Sequence, residues 1–394
     1  MNIESQGNRR DFIKVAAWTG AAAFAGCATG RDGGQAEAVR STRMEPPELQ
    51  ARKRKALEAA RELGPTITDV ELRRSKSISG KRAAFYIDDV MFLFLDLARE
   101  RPKSCWDHFF LRALREAHEA YGFKLQLNAF FRNDFYYGAR GAEFTLRDVP
   151  DLWKAEFQSA RDWLRFGFHS YAEFPDYPWI NASYDDVKFT WDAITGEVER
   201  FAGPGMFAKA VTPHWGPMSK EGCIALRDCG VKAIWCSAGK RYEYTGDRTV
   251  LPYGHGMRIE NFRKPETAMY WRGGGNQEIS VSACGYNHLL PEHVEQTRGK
   301  FNWLHDRATG CNFMRFCNGG GGCGNLIPLD DVRASVSRIV KSEPEYLCMA
   351  THEEYWFKHY FAYQPESKEK LMRGLEVVRD AGYKFMFIEE KIDW

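Results

Sequence analysis

Four short apolar runs in this chain end in residues able to bind a cation or move a proton. Phe85-Tyr86-Ile87 is followed by Asp88-Asp89, Phe166-Gly167-Phe168 by His169, Val211-Thr212-Pro213 by His214, and Met349-Ala350-Thr351 by His352-Glu353-Glu354. Taken singly, each has an ordinary explanation, since an Asp pair can cap a helix and an isolated His is usually structural. Four run ends carrying one kind of chemistry imply a shared site instead. His169 and Glu173 are four apart, which puts them on one face if a helical turn starts there. With Asp89 they form a three-ligand set that leaves a position open for water. A divalent cation so held would lower that water's pKa toward about 7 and polarise a carbonyl oxygen, with Asp88 as the base beside it. Glu173 on its own reads equally well as a surface carboxylate near Pro175.

Positioning these groups requires rigid elements. Strand-like runs lie at Ala83 to Ile87, Lys124 to Phe130, Phe166 to Phe168, Ala208 to Thr212, Lys232 to Cys236, Ile279 to Cys284, Cys311 to Phe316, Tyr346 to Ala350 and Tyr383 to Ile388. Amphipathic, helix-like stretches separate them: Ser104 to Tyr121, Val149 to Arg165, Tyr184 to Ala202, Ser219 to Gly230, Leu329 to Ser342 and Glu366 to Gly382. This alternation predicts α/β architecture with a parallel sheet and helices outside it. Gly122, Gly230 and Gly382 each stand between a helix-like stretch and the next run, as left-handed C-caps do. So many runs favour a single-domain (β/α) barrel of seven or eight strands, whose chemistry sits at the C-terminal strand ends. Pro46 to Leu63 predicts an outer helix, and Ala238 to Arg272, without periodicity, a long loop over one rim.

So arranged, the residues resemble a known family. Tyr86-Ile87-Asp88-Asp89-Val90 is similar to the T-F-D-D-G motif of polysaccharide deacetylases of the NodB-homology type (carbohydrate esterase family 4). His169 to Glu173 resembles that family's H-S/T-x-x-H, Thr212-Pro213-His214-Trp215-Gly216 its R-P-P-x-G, and Ala350-Thr351-His352 its L-x-H. The resemblance implies a barrel hydrolase removing acyl groups from glycans, with Asp88 as general base and His352 as general acid. It implies Asp89, His169 and Glu173 as metal ligands, and His214, Trp215, Arg132 and Glu353 on the substrate side. Zinc is the cation it implies first. The motifs keep the family's order from Tyr86 to His352, over most of the domain.

Three departures mark a divergent branch. Glu173 stands where the family has a second metal His, which widens the choice of ion from zinc to manganese, iron, cobalt or magnesium. Thr212 replaces the arginine that orients the base, leaving that role to another group such as Arg132 or to none. No D-x-x-D-W counterpart is present.

The first thirty residues read as an address. Asn8-Arg9-Arg10-Asp11-Phe12-Ile13-Lys14 before the apolar run Val15 to Ala25 is a twin-arginine pattern, and that run is too short to span a bilayer. Phe24-Ala25-Gly26-Cys27 resembles a lipobox, with Cys27 acylated, while Ala23-Phe24-Ala25 also fits ordinary cleavage. The expected organisation is a signal over residues 1–27, a flexible tether over 28–45 and a catalytic domain over 46–394. Such a protein is periplasmic or on the cell surface, touching membrane only through an N-terminal lipid.

The 55 basic and 53 acidic residues nearly cancel, with no basic stripe, which argues against a nucleic-acid partner. Aromatic residues at 14% suit both core packing and stacking on sugar rings, so a glycan is the expected partner. Excluding Cys27, nine cysteines remain; Cys105, Cys236, Cys284 and Cys348 read as small buried thiols, and Cys317 with Cys323 as a pair flanking four glycines. Two rivals stay open: a metal-free glycosidase or lyase using Asp88 or Asp89 with Glu353 or Glu354, and a non-catalytic glycan-binding lipoprotein. Neither composition nor motifs indicate an oligomeric state.

Overall fold

The structure, a computed structural model, describes residues 60–62, 67, 69–76, 78–133, 144–173, 178–180, 182–236, 242–244, 285–315, 327–342, 345–360, 363–390 and 392. The expected signal and tether, the run Ile279 to Cys284, Cys317, Cys323 and most of Ala238 to Arg272 lie outside these residues.

Strand β3 (Arg82–Val90) is buried from Ala83 to its end, the near-continuous apolar pattern of a parallel strand covered on both faces. Ala83, Phe85 and Ile87 pack into the main core with the helices, while Ala84 and Tyr86 join a second cluster. The same alternation recurs on β13 (Tyr346–His352), where Leu347 and Met349 face the first core and Cys348 and Ala350 the second. It recurs again on β9 (Ala233–Cys236), with Ile234 in one and Trp235 in the other.

β3 lies between β13 and β4 (Leu125–Phe130), and β4 pairs with β7 (Leu164–Ser170), all parallel; β14 (Lys384–Phe385) adds to β3. A second sheet runs β2 (Val70–Arg74), β11 (Asn302–Asp306), β12 (Asn312–Arg315), β9 and β8 (Ala210–Val211), parallel from β12 to β8. The two sheets touch at a parallel bridge between Phe166 and Phe207. Short antiparallel pairs join β1 (Ala60–Glu62) to β10 (Tyr242–Tyr244) and β5 (Arg132–Asn133) to β6 (Phe144–Thr145).

Eight α-helices accompany the sheets among the described residues: α1 (Phe92–Glu100), α2 (Phe109–Tyr121), α3 (Lys154–Ser159), α4 (Tyr184–Ala202), α5 (Lys220–Asp228), α6 (Pro291–Thr297), α7 (Val332–Ser342) and α8 (Ser367–Asp380). The chain is therefore a mixed α/β single domain with parallel sheets. Gly122, Gly230 and Gly382 take the left-handed φ of 64°, 87° and 84° expected of them. No helix among the described residues is long and apolar enough to cross a membrane.

Several expectations need correction. Of the helix expected over Pro46 to Leu63, only residues 60–62 are described, and these form strand β1, where main-chain pairing with β10 overrides local helix propensity. The same β10 lies inside the stretch expected to be loop. Val149 to Arg165 supplies only the six-residue α3, because Leu164 and Arg165 already belong to β7. Helix α1 and the antiparallel strands β2 and β11 were not expected. Cys105, Cys236 and Cys348 are, as expected, buried thiols outside any disulfide.

Candidate metal centre

Asp88 and Asp89 close β3 on an irregularity. The pairing register with β4 shifts between Ile87 and Val90, and Asp89 has a φ of +61°. Period-two alternation would send consecutive side chains to opposite faces. The left-handed residue breaks it, so both carboxylates reach one imidazole: His169 Nε2 lies 2.9 Å from Asp89 Oδ1, and His169 Nδ1 3.6 Å from Asp88 Oδ1. Asp tolerates this backbone better than most residues, yet such outliers persist where neighbours over-determine them, often at functional sites.

The imidazoles come from adjacent segments. His169 is the penultimate residue of β7; His214 sits three residues beyond β8, with its main-chain N–H donating to His169 O at 3.4 Å. His169 Nδ1 meets the carbonyl of Thr212 at 3.0 Å, and His214 Nε2 that of Glu173 at 3.1 Å. A carbonyl only accepts, so these contacts set both tautomers. The lone pairs of His169 Nε2 and His214 Nδ1 then face each other at 2.9 Å, and Asp89 Oδ1 lies 2.9 and 3.4 Å from them. Three acceptors this close repel unless a proton or cation lies among them. Ligands about 2.0–2.1 Å from a tetrahedral ion stand about 3.3–3.4 Å apart, so the residues present fit a divalent cation. Phe130 walls the pair, its ring 5.3 Å from His169 and 4.9 Å from His214.

The electrostatics follow. Burial alone would raise Asp89, but its close contacts with the His169 and His214 rings and the nearby His352 hold it well below the usual carboxylate range. Burial opposes charge on His169 too, yet Asp88 and Asp89 lift it above the ordinary imidazole value. His214 goes the other way, with burial dominant. Asp88 is raised, chiefly by burial.

Glu173, expected as a ligand beside His169, falls outside the group that the two imidazoles form with Asp89. It groups instead with Asp89 and Glu354, one ligand atom of each lying within 4.8 Å of the others, while Asp89, His169 and His214 form a separate group by the same measure. His214, expected on the substrate side, thus supplies the second imidazole beside His169.

His352 ends β13, its Nε2 3.7 Å from Asp89 Oδ2. Glu353 points elsewhere. It is fully buried, and its oxygens accept from the main-chain N–H of Met91, Phe92 and Leu93, each at 2.7 Å. Met91, at the N-cap of α1, offers no side-chain cap of its own, so Glu353 caps that helix from the far end of the sequence. Burial lifts its carboxyl to about 8 against the pull of these three donors. Trp215, with a φ of +66°, is buried with its ring edge-on to His214. Arg132 lies half-buried on β5, its main-chain N–H on the carbonyl of Tyr171.

The group that orients Asp88 is Asn128, whose Nδ2 donates to Asp88 Oδ1 at 2.7 Å. Gln126 in turn donates to Asn128 Oδ1 and to the carbonyl of Ala210. Gly167 on the adjacent strand makes the room, since a Cβ there would lie 2.3 Å from both amide side chains. A signal for this pair exists in Leu125-Gln126-Leu127-Asn128-Ala129-Phe130, where two amides alternate within an otherwise apolar strand. A scan against protein-family models finds no match for this chain, and a search of curated proteins finds none.

Proposed function

We propose that this chain is an exported, divalent-cation-dependent hydrolase that removes acyl groups, acetyl above all, from a glycan, on a (β/α) barrel of seven or eight strands. The observation that carries the reading is the convergence of Asp89 Oδ1, His169 Nε2 and His214 Nδ1 with tautomers set by carbonyls, flanked by Asp88 and His352. Zinc suits two imidazoles and a carboxylate best. The barrel is supported by the parallel ladders β13-β3-β4-β7 and β8-β9-β12, the Phe166–Phe207 bridge between them and the second cluster, common to both.

When bound, the cation would supply Lewis acidity toward an acyl carbonyl and make water easier to deprotonate. The protein's residues do the rest. Asn128 ties one oxygen of Asp88, leaving the other to take a proton from the attacking water, and burial makes that carboxylate a stronger base. His352, opposite Asp88 in the sheet, gives a proton to the departing amine or alcohol.

A glycan is supported by a cavity of about 420 Å³ that starts at Ser170, directly after His169, and is lined by Tyr171, Trp179 and Phe189. Phe189 is 63% exposed and lies beside Tyr171, with ring centroids 5.8 Å apart, an apolar pair suited to a sugar face. The metal-free glycosidase reading loses Glu353, whose oxygens are taken by the α1 backbone. The test is metal analysis of the purified protein together with acetate release from N-acetylated chitooligosaccharides and acetylated xylan. A metal-free protein, or a loaded one inert on every acylated glycan, overturns the proposal.

A further inference from the structure

We infer that Glu353 is a positioning residue for the metal ligand Asp89: by holding the first main-chain N–H groups of α1 it fixes the left-handed backbone that turns Asp88 and Asp89 toward one imidazole. The inference rests on the cation reading above and deepens it, because Glu353 itself lies outside the converging ligand atoms.

Glu353 follows His352 directly, and Met91 stands two residues after Asp89. His352 and Asp88 are register partners in the β13–β3 ladder, so the hydrogen bond from Met91 to Glu353 links the ends of both strands a second time. Both carboxylate oxygens are engaged: Oε2 accepts from Met91 and Phe92, and Oε1 from Leu93, each at 2.7 Å. The start of α1 is therefore anchored to the end of β13, since Met91 has no capping side chain to offer. Ser, Thr or Asp at that position would cap the helix locally without burying a charge. A remote carboxylate that is 0% exposed carries a desolvation cost that its donors must offset. What the remote cap adds is a fixed relation between the two strand ends.

Asp89 lies inside that closure with a φ of +61°. A change of φ there swings every atom beyond it, so α1 cannot stay on Glu353 while Asp89 relaxes to an extended backbone. An extended Asp89 would restore period-two alternation and send the two carboxylates to opposite faces. Its side chain is held from the other direction by His169 and His214, 2.9 and 3.4 Å from Oδ1. The cap and the cation position thus act on opposite sides of one strained residue, and each stabilises the conformation the other needs. Such coupling is reciprocal.

The test uses the full chain stripped by chelator and titrated with Zn²⁺ alone against a chromophoric competitor. Glu353→Gln places an amide NH₂ against some of the donors, and it should bind Zn²⁺ about 10- to 100-fold more weakly while staying folded by circular dichroism. Ser104→Ala removes the cap of the turn Cys105–Asp107, which packs on Glu156 rather than on the site, and should lower stability without moving Zn²⁺ affinity. Wild type supplies a second measurement if the Glu353 variant does not fold. By reciprocity, Zn²⁺ should slow amide hydrogen exchange at Met91, Phe92 and Leu93 more than at Leu371 and Leu375 in α8. Wild-type Zn²⁺ affinity in Glu353→Gln, or equal slowing in α1 and α8, would overturn the positioning role. If Zn²⁺ is then still lost in His169→Ala, the function proposed above stands without it. Weakened Zn²⁺ binding in Glu353→Gln, with wild type inert on every acylated glycan, would keep the positioning role and remove the hydrolase. A wild-type protein that binds no Zn²⁺ removes both.

Discussion

Asp88 and His352 are direct partners in the parallel ladder between β3 and β13. Strands so paired lie about 4.8 Å apart, and the two side chains leave adjacent strand ends on the same side. A base and an acid held this way can act on opposite ends of one scissile bond. Asp88→Asn and His352→Ala should each lower acetate release by about 10²- to 10⁴-fold while metal content stays at the wild-type value. Full activity in His352→Ala would take that residue out of the mechanism.

Loss of the cation should follow loss of any group at the imidazole position. Asp89→Asn, His169→Ala and His214→Ala are expected to lose metal by elemental analysis while keeping their circular dichroism, since a core this large does not depend on an ion to fold. Stripping wild type should lower its unfolding free energy by about 2.7 kcal/mol at an ion concentration 100 times the Kd. Both imidazoles must be unprotonated to donate, and His169 is raised by Asp88 and Asp89 despite its burial. Protons therefore compete as pH falls, and isothermal titration should show affinity declining toward acid pH. An affinity independent of pH would place the ion on other groups.

Asn128 should govern rate without governing metal. Asn128→Ala removes the donor on Asp88 Oδ1, a hydrogen bond to a charged group worth about 1.5–3 kcal/mol, so kcat should drop roughly 10- to 100-fold with KM little changed. Gly167→Ala forces apart the amides of Gln126 and Asn128 and should cost about 1–3 kcal/mol of stability in urea denaturation, with a parallel loss of kcat. An Asn128→Ala protein with wild-type kcat would show that Asp88 needs no such holder.

Glu353 is expected to matter for folding rather than for substrate. Glu353→Ala leaves the N–H groups of Met91, Phe92 and Leu93 buried without acceptors, and a loss of about 2–4 kcal/mol is anticipated. Glu353→Gln keeps one acceptor oxygen and should lie between. Chemical denaturation gives the order, and a raised KM with unchanged stability would restore Glu353 to the substrate side.

Export is open to a direct check. Arg9→Lys combined with Arg10→Lys should hold the protein in the cytoplasm, and Cys27→Ala should free it from membranes. Intact mass of the mature protein decides the second point: an N-terminus at Gly26 without acylation removes the lipid anchor and leaves the export route standing.

The chemical inventory was legible in the sequence because short continuous apolar runs that stop at Asp88, His169, His214 and His352 read as strand ends whatever the tertiary arrangement, and strand ends in parallel α/β folds collect on one rim. Local signals also marked the glycine caps at positions 122, 230 and 382, since a left-handed residue there is a property of a few neighbouring bonds. What spacing left open was who meets whom. The four-residue step from His169 to Glu173 suggested one helical face, but β7 gives way to a bend there, and the bridge at Phe166–Phe207 brings His214 to His169 instead. Glu353 looked like a substrate residue until pairing of β13 with β3 set it at the start of α1. Asn128 reaches Asp88 only because β4 lies beside β3, and the two aspartates converge only because Asp89 takes a positive φ where the β3–β4 register slips. Residue types and periodicity are local and survive in the sequence; register between distant strands is settled by packing the whole core, and the site's distances follow from that register.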